Sequence, residues 1–255
     1  MIFSGKFDKV ENKGEVPEWP NGLAWRASLR ETVTGVRISP SPNKKQLNPM
    51  AKTYNLGNLE ITWLGHASFK IKCLESKVYG PEFVIYIDPY NVSFGEKADL
   101  ILVTHDHYDH KDEKSIAQLS KTTTEVLIGG KNIKEGEEKE VNGAKIKAVP
   151  AYNLVKPFHP KGRGVGFVIE IEGKKIYHAG DTDRIPEMAE LGEIDLALLP
   201  IGGTYTMNEV EAAEAVKMFS PKKVIPMHYG TLSETPGNPE KFKELVGESS
   251  EVIIL

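Results

Sequence analysis

Cysteine is almost missing from this chain, with Cys73 alone among 255 residues. One thiol excludes an intramolecular disulfide and suits a reducing compartment. Cys73 falls in an alternating stretch, so it reads as a small packed side chain rather than a nucleophile. Long apolar runs are missing too. No stretch approaches the ~20 residues that span a bilayer, and the first residues lack the apolar core of a signal peptide. Excess charge of either sign is also lacking. The formal net charge is −4, which argues against strong attraction to nucleic acid or a membrane surface. No Gly-x-Gly-x-x-Gly fingerprint follows a strand, so a dinucleotide fold is not indicated. What remains is an ordinary composition, 27% charged and 40% hydrophobic, in a length that suits one large domain. The expected setting is the cytoplasm and the expected partner a small molecule. A homo-oligomer is compatible with the sequence.

Residues 1–50 differ from the rest. They hold Pro17, Pro20, Pro40, Pro42 and Pro49 without a sustained apolar period, as a tail does. The peptides Glu18-Trp19-Pro20-Asn21-Gly22 and Gly35-Val36-Arg37-Ile38-Ser39-Pro40 resemble translation through a transfer-RNA gene. Residues 1–50 are therefore expected to be a disordered tail or the product of a start assigned too far upstream, with Met50 the natural initiator and residues 51–255 the folded domain.

Within that domain, Leu59–Leu64 and Ser68–Cys73 alternate with period two, as half-buried strands do, and Gly65-His66 between them suggests a hairpin. Phe83–Asp88 reads as a strand stopped by Pro89. Leu100–Val103 reads as a central buried strand. Further strands are expected at 126–128, 144–149, 165–171, 175–177 and 195–199. Short helices are expected at 112–119 and 183–191. Asn208–Phe219 carries helical spacing, a cap at Asn208 with Glu211 three residues on, and a stop at Pro221. This pattern alone establishes only a mixture of α and β.

Chemistry is concentrated in Thr104-His105-Asp106-His107-Tyr108-Asp109-His110, which follows the apolar strand directly and holds three of the seven histidines. Imidazole and carboxylate are ligands that borderline cations such as zinc prefer. In an extended chain residues two apart point to one side, so His105 and His107 can reach a single metal. If the chain then turns, Asp109 and His110 swing toward a second point.

This HxHxDH order resembles the signature of the metallo-β-lactamase superfamily. Tyr177-His178-Ala179-Gly180-Asp181-Thr182 resembles its GDT motif, whose aspartate bridges two metals. Ile225-Pro226-Met227-His228-Tyr229-Gly230 resembles the motif whose histidine closes the second site. With Trp63-Leu64-Gly65-His66 and Ile87-Asp88-Pro89, the set is similar to the branch that includes the ascorbate-6-phosphate lactonases. The resemblance spans residues 58–255. It implies an α+β fold, a four-layer αββα sandwich of the metallo-β-lactamase type, with two divalent transition-metal ions. Zinc is expected, with manganese and iron as alternatives.

The implied ligands are His105, His107, Asp109, His110, Asp181 and His228, with Asp109 and Asp181 also catalytic. One departure stands out. The family places a third histidine for the first metal where this chain has Pro150-Ala151-Tyr152-Asn153. Either His159 replaces it by another loop path or the site lacks one imidazole, since Asn153 is a poor zinc ligand. Asp88 is expected to orient a ligand histidine. His66 is expected to line the pocket, with Tyr205, Tyr229 and Gly202-Gly203 as walls. His178 is expected to be packed in the core. Lys161 and Arg163 could draw in an anionic substrate. The implied reaction is attack by a metal-bridging hydroxide on a small ester, lactone or phosphodiester. A metallo-nuclease on the same fold and a non-enzymatic metal-binding protein are the alternatives.

Overall fold

The computed structural model describes residues 52–75 and 82–255. The expected tail and the expected start at Met50 lie outside the described residues. Two sheets form the body. The first holds β1 (Lys52–Leu56), β2 (Leu59–Gly65), β3 (Ser68–Cys73), β4 (Phe83–Ile87), β5 (Leu100–Val103) and β6 (Glu125–Ile128), in sequence order. The second holds β7 (Glu138–Val141), β8 (Ala144–Ala151), β9 (Gly164–Ile171), β10 (Lys174–His178), β11 (Leu196–Pro200), β12 (Lys223–Met227) and β13 (Glu251–Val252), again in sequence order. Each sheet begins antiparallel and ends parallel: β4, β5 and β6 run together, and so do β10 to β13.

Strand periodicity explains the layers. Alternate residues point to opposite faces, and here both faces are apolar. Ile61, Phe69, Ile85 and Leu102 of the first sheet meet Ile146, Phe167, Ile176 and Leu198 of the second in one buried cluster. Cys73 is part of it, a packed side chain as expected. The outward residues Tyr86, Ile101 and Val103 bury against Leu119 of α1 (Glu113–Leu119). On the other side Tyr177, Ala197 and Leu199 bury against Val216 of α2 (Glu209–Phe219) and Phe242 of α3 (Pro239–Val246). Helix, sheet, sheet and helices make the four αββα layers. Each fully buried large apolar side chain contributes roughly 1.5–3 kcal/mol, so the core between the sheets dominates stability. Among the described residues no helix is long and apolar enough to cross a membrane.

Helix ends follow the local signals. Asn208 accepts from the backbone N–H groups of Val210 and Glu211, and the Glu211 carboxylate accepts from the N–H of Asn208. Asp112 caps α1 through Lys114. The helix expected at 183–191 is shorter, a 3₁₀ turn at Pro186–Glu190. Proline fixes its first position, and the Asp183 carboxylate is taken up by Asn153, Leu154 and Lys156 rather than by a helix start. Strands β1 and β7, not foreseen, are polar edge strands with mostly exposed side chains.

The two sheets meet along one rim. The parallel strands β4, β5, β10, β11 and β12 all end there, and main-chain hydrogen bonds lace it: Val165 N–H to Thr104 O at 3.0 Å, and His228 N–H to His66 O at 2.9 Å.

Candidate metal centre

Chemistry gathers at that rim because strand ends of both sheets converge on it. Strand β4 delivers Asp88, wholly buried, with a left-handed φ of 44°. Its Oδ1 accepts the N–H of Thr104 at 2.7 Å. Its Oδ2 accepts the Thr104 hydroxyl at 2.7 Å and faces His110 Nδ1 at 2.8 Å. The Thr104 hydroxyl, spent as a donor on Asp88, lies 2.9 Å from His105 Nδ1 and so accepts its proton. Both imidazoles are thereby oriented through Nδ1, with Nε2 turned inward.

The inward atoms form overlapping groups. His105, His107 and His159 make one, with ligand atoms all within 4.8 Å of one another. His66, Asp109, His110 and His228 make another on the same criterion, and His105, His110 and Asp181 a third. Asp181 sits between the first two. Its Oδ1 is 3.4 Å from His110 Nε2, and its Oδ2 is 3.1 Å from His228 Nε2 and 3.3 Å from His159 Nε2. Gly180 precedes it at φ 62°, where an added Cβ would stand 2.9 Å from Val165 O, so glycine is required for the turn. Six of the seven histidines belong to these groups. The seventh, His178, is buried and bonds Ala67 O at 2.9 Å.

The position left open between Asn153 and His159 has a clear geometry. His159 stands in the histidine group and Asn153 stands behind it. The Asn153 Oδ1 accepts from His159 N–H and Nδ1–H, each at 3.0 Å. Its Nδ2 donates to Asp183 Oδ1 at 3.1 Å and to Tyr205 O at 2.9 Å. Lys156 closes the chain on Asp183 at 2.6 Å. Every polar atom of the Asn153 side chain is engaged, and the Nε2 of His159 is the atom left facing Asp181.

Electrostatics fit a cation. The buried atoms His66 Nδ1, His110 Nε2, His159 Nε2, Asp181 Oδ1 and both His228 ring nitrogens have no hydrogen-bond partner among the described residues. The His228–Asp181 and His110–Asp181 approaches are close but lack hydrogen-bond geometry. Buried polar atoms are costly unless satisfied, and here most point at shared space. His105 Nε2 and His107 Nδ1 lie 3.0 Å apart. Two ligand nitrogens on one tetrahedral zinc lie about 3.3 Å apart, so these contacts have the scale of shared coordination. Burial pushes His105 well below its usual pKa, and His66 and His159 below theirs, so these imidazoles are neutral as ligation needs. Burial opposes the charge on Asp181, yet His110 and His228 hold its carboxyl well below the usual range. Asp109 is likewise held to about 2, against burial, by His66 and then His110. Burial lowers His110, but Asp181 and Asp88 outweigh it and raise this group well above its usual value. The centre thus carries a negative potential that a cation would neutralise.

Three of its residues hold left-handed backbones, His66 at φ 53°, Asp88 at 44° and His228 at 57°. Such conformations cost roughly 1–3 kcal/mol each away from glycine. The cross-sheet hydrogen bonds keep them in place.

The remaining expected residues divide. His66 does more than line the pocket, because its Nε2 lies 3.1 Å from Asp109 Oδ2 inside a ligand group. Thr104, which the sequence reading passed over, supports both His105 and Asp88. Gly202 backs His228, whose carbonyl oxygen would lie 2.4 Å from an added Cβ. Tyr229 stacks on Trp63 at 5.2 Å. Tyr205 packs edge-to-face on Phe158 at 4.8 Å. The expected anion-binding pair faces carboxylates. Lys161 reaches Glu187 at 2.7 Å and lies over the Tyr152 ring, while Arg163 approaches Asp106 at 4.0 Å.

Comparison with known proteins agrees with this fold. A model of the beta-lactamase superfamily domain matches residues 60–228. A UPF0173 metal-dependent hydrolase of Thermococcus onnurineus is 40% identical over 225 residues, covering 77% of this chain and 96% of its own. One of Pelotomaculum thermopropionicum is 36% identical over 222 residues with the same coverages, 77% and 96%. Among solved structures, a Parabacteroides distasonis protein assigned as a metal-dependent hydrolase superposes with a TM-score of 0.70 at 32% identity, covering 80% of this chain and 98% of its own. The metallo hydrolase Igni18 of Ignicoccus hospitalis superposes at 0.62 with 28% identity, covering 77% and 94%. This chain belongs to the metallo-β-lactamase superfamily and, within it, to the UPF0173 metal-dependent hydrolases.

Proposed function

We propose that the chain holds two divalent cations and hydrolyses a small ester, lactone or phosphodiester. The observation that carries this reading is the Asp181 carboxylate, which touches His159 of one ligand group and His110 and His228 of the other. His105, His107 and His159 would hold one ion. Asp109, His110 and His228 would hold the other, with His66 beside them and Asp181 shared. Zinc suits the nitrogen-rich donors, and manganese or iron fits the carboxylates. When bound, such a pair supplies a water of lowered pKa and a Lewis acid for the oxygen under attack.

The protein's own groups do the rest. Asp109, ionised and steadied by His66, is placed to take the proton that the attacking water gives up. Asp181 fixes the spacing of the two imidazole groups. Asp88 and Thr104 keep His105 and His110 in the orientations that face inward. The resemblance to the branch of ascorbate-6-phosphate lactonases favours a lactone or ester over a nucleic-acid backbone, and so does the net charge of −4. Elemental analysis of the purified protein, with a screen of lactones, esters and phosphodiesters, tests the reading. Two ions per chain and metal-dependent turnover are expected. Full activity in metal-free protein would contradict it.

A further inference from the structure

An aromatic arc borders the metal centre, and ligation explains none of it. Tyr108 lies between the ligands His107 and Asp109 yet is 68% exposed. Tyr90 meets it edge-on at 6.1 Å and stands 5.9 Å from the His66 ring. On the other flank Phe158, next to His159, meets Tyr205 at 4.8 Å. The Tyr205 carbonyl holds Asn153. Tyr90 and Tyr108 form one pair, and Phe158 and Tyr205 form another. The first pair lies beside His66, and the second adjoins His159 in sequence and Asn153 through the Tyr205 carbonyl. Tyr108 is exposed and the other three rings are half-buried, so each leaves ring surface for a ligand beside the centre.

Charge points the same way. A site for phosphate presents uncommitted Arg or Lys donors in fixed geometry. Here the cations that flank the ligands in sequence face carboxylates: Lys111 on Glu113, Lys156 on Asp183, Lys161 on Glu187 and Arg163 toward Asp106.

Building on the hydrolase reading above, we infer that the substrate is a neutral ester or lactone bearing an aryl or similarly flat apolar group, which packs on the Tyr90–Tyr108–Tyr205–Phe158 arc. Hydrolysis adds water across the acyl C–O bond. The water oxygen joins the acyl carbon, and a proton ends on the leaving alkoxide oxygen. The flat group takes no part in bond change. It places the carbonyl over the centre through ring contacts worth about 0.5–1.5 kcal/mol per aromatic pair beyond area burial.

The test compares γ-phenyl- and γ-methyl-γ-butyrolactone, which share a reacting ring, on metal-loaded wild type, Tyr108→Ala and Tyr205→Ala. Wild type should favour the phenyl compound in kcat/KM by about 10-fold or more, mainly through KM. Each variant should bring that ratio toward one. The ratio is internal to each protein, so partial loss of folded enzyme does not mimic the result. Equal handling of the two lactones, or an unchanged ratio in both variants, overturns the inference. If neither lactone is turned over, calorimetric binding of the same pair is read instead. A phenyl preference that falls in the variants then upholds the arc and refutes the bond class, and no preference refutes both.

Discussion

The backbone N–H of His228 donates to the carbonyl oxygen of His66 at 2.9 Å, and the two rings stand 3.9 Å apart. One residue ends a strand of the second sheet and the other turns a hairpin of the first. Both hold left-handed backbones. The candidate metal centre is therefore built across the seam between the sheets, and no single sheet carries it. Packing of the two sheets brings the candidate ligands together.

Replacing His105 or His228 by alanine should remove metal and activity together, since each takes one nitrogen from a shared ion. Elemental analysis beside turnover checks this. Retention of both ions in either variant would show that the histidine is not a ligand.

Asp181→Asn should harm metal binding more than folding. An amide is neutral and a poorer bridge, so at least one ion should bind weakly, while a strand-end turn adds little to the core. Metal stoichiometry, hydrolysis rate and melting temperature separate the effects. A variant that unfolds outright would make Asp181 structural.

Thr104→Val keeps the volume but removes the hydroxyl between Asp88 and His105. Metal affinity should fall about 10–100-fold, as for other groups that orient ligands. Stability should drop by roughly 1–3 kcal/mol from the unpaired His105 N–H and Asp88 oxygen. Competition with a chelator and urea unfolding measure the two losses.

Phe167→Ala should cost about 3–5 kcal/mol, because Phe167 is fully buried between the sheets. Denaturant titration reads the cost. A loss under about 1 kcal/mol would mean that the seam is loosely packed.

A chain starting at Met50 should keep its melting temperature and metal content. The T. onnurineus relative aligns 96% of its length to 77% of this chain. A large fall in melting temperature would refute the reading of residues 1–49.

Local signals were legible and long-range ones were not. The cap at Asn208, the stop at Pro221 and the apolar run of β5 read directly from neighbours in sequence. The spacing of His105 and His107 suggested a shared ion because two-residue periodicity is a local property. The roles of Asp88 and His66 depend on partners 22 and 43 residues away, His110 and Asp109. Their left-handed backbones are invisible in a sequence, since neither residue is glycine. His159 and Asn153 were equal candidates in the sequence, and only the loop geometry puts the amide behind the imidazole. The layer order came from family resemblance, because alternating apolar strands do not say which sheet they join. Polar edges such as β1 and β7 carry too little apolar pattern to be read as strands.

Anomalous diffraction at the metal edge, on crystals of the protein as purified, tests the central claim most directly. Two peaks are expected about 3.5–4 Å apart. One should lie among His105, His107 and His159, the other among Asp109, His110 and His228, with the Asp181 carboxylate touching both. A single peak, or peaks that Asp181 does not bridge, would contradict the two-ion centre.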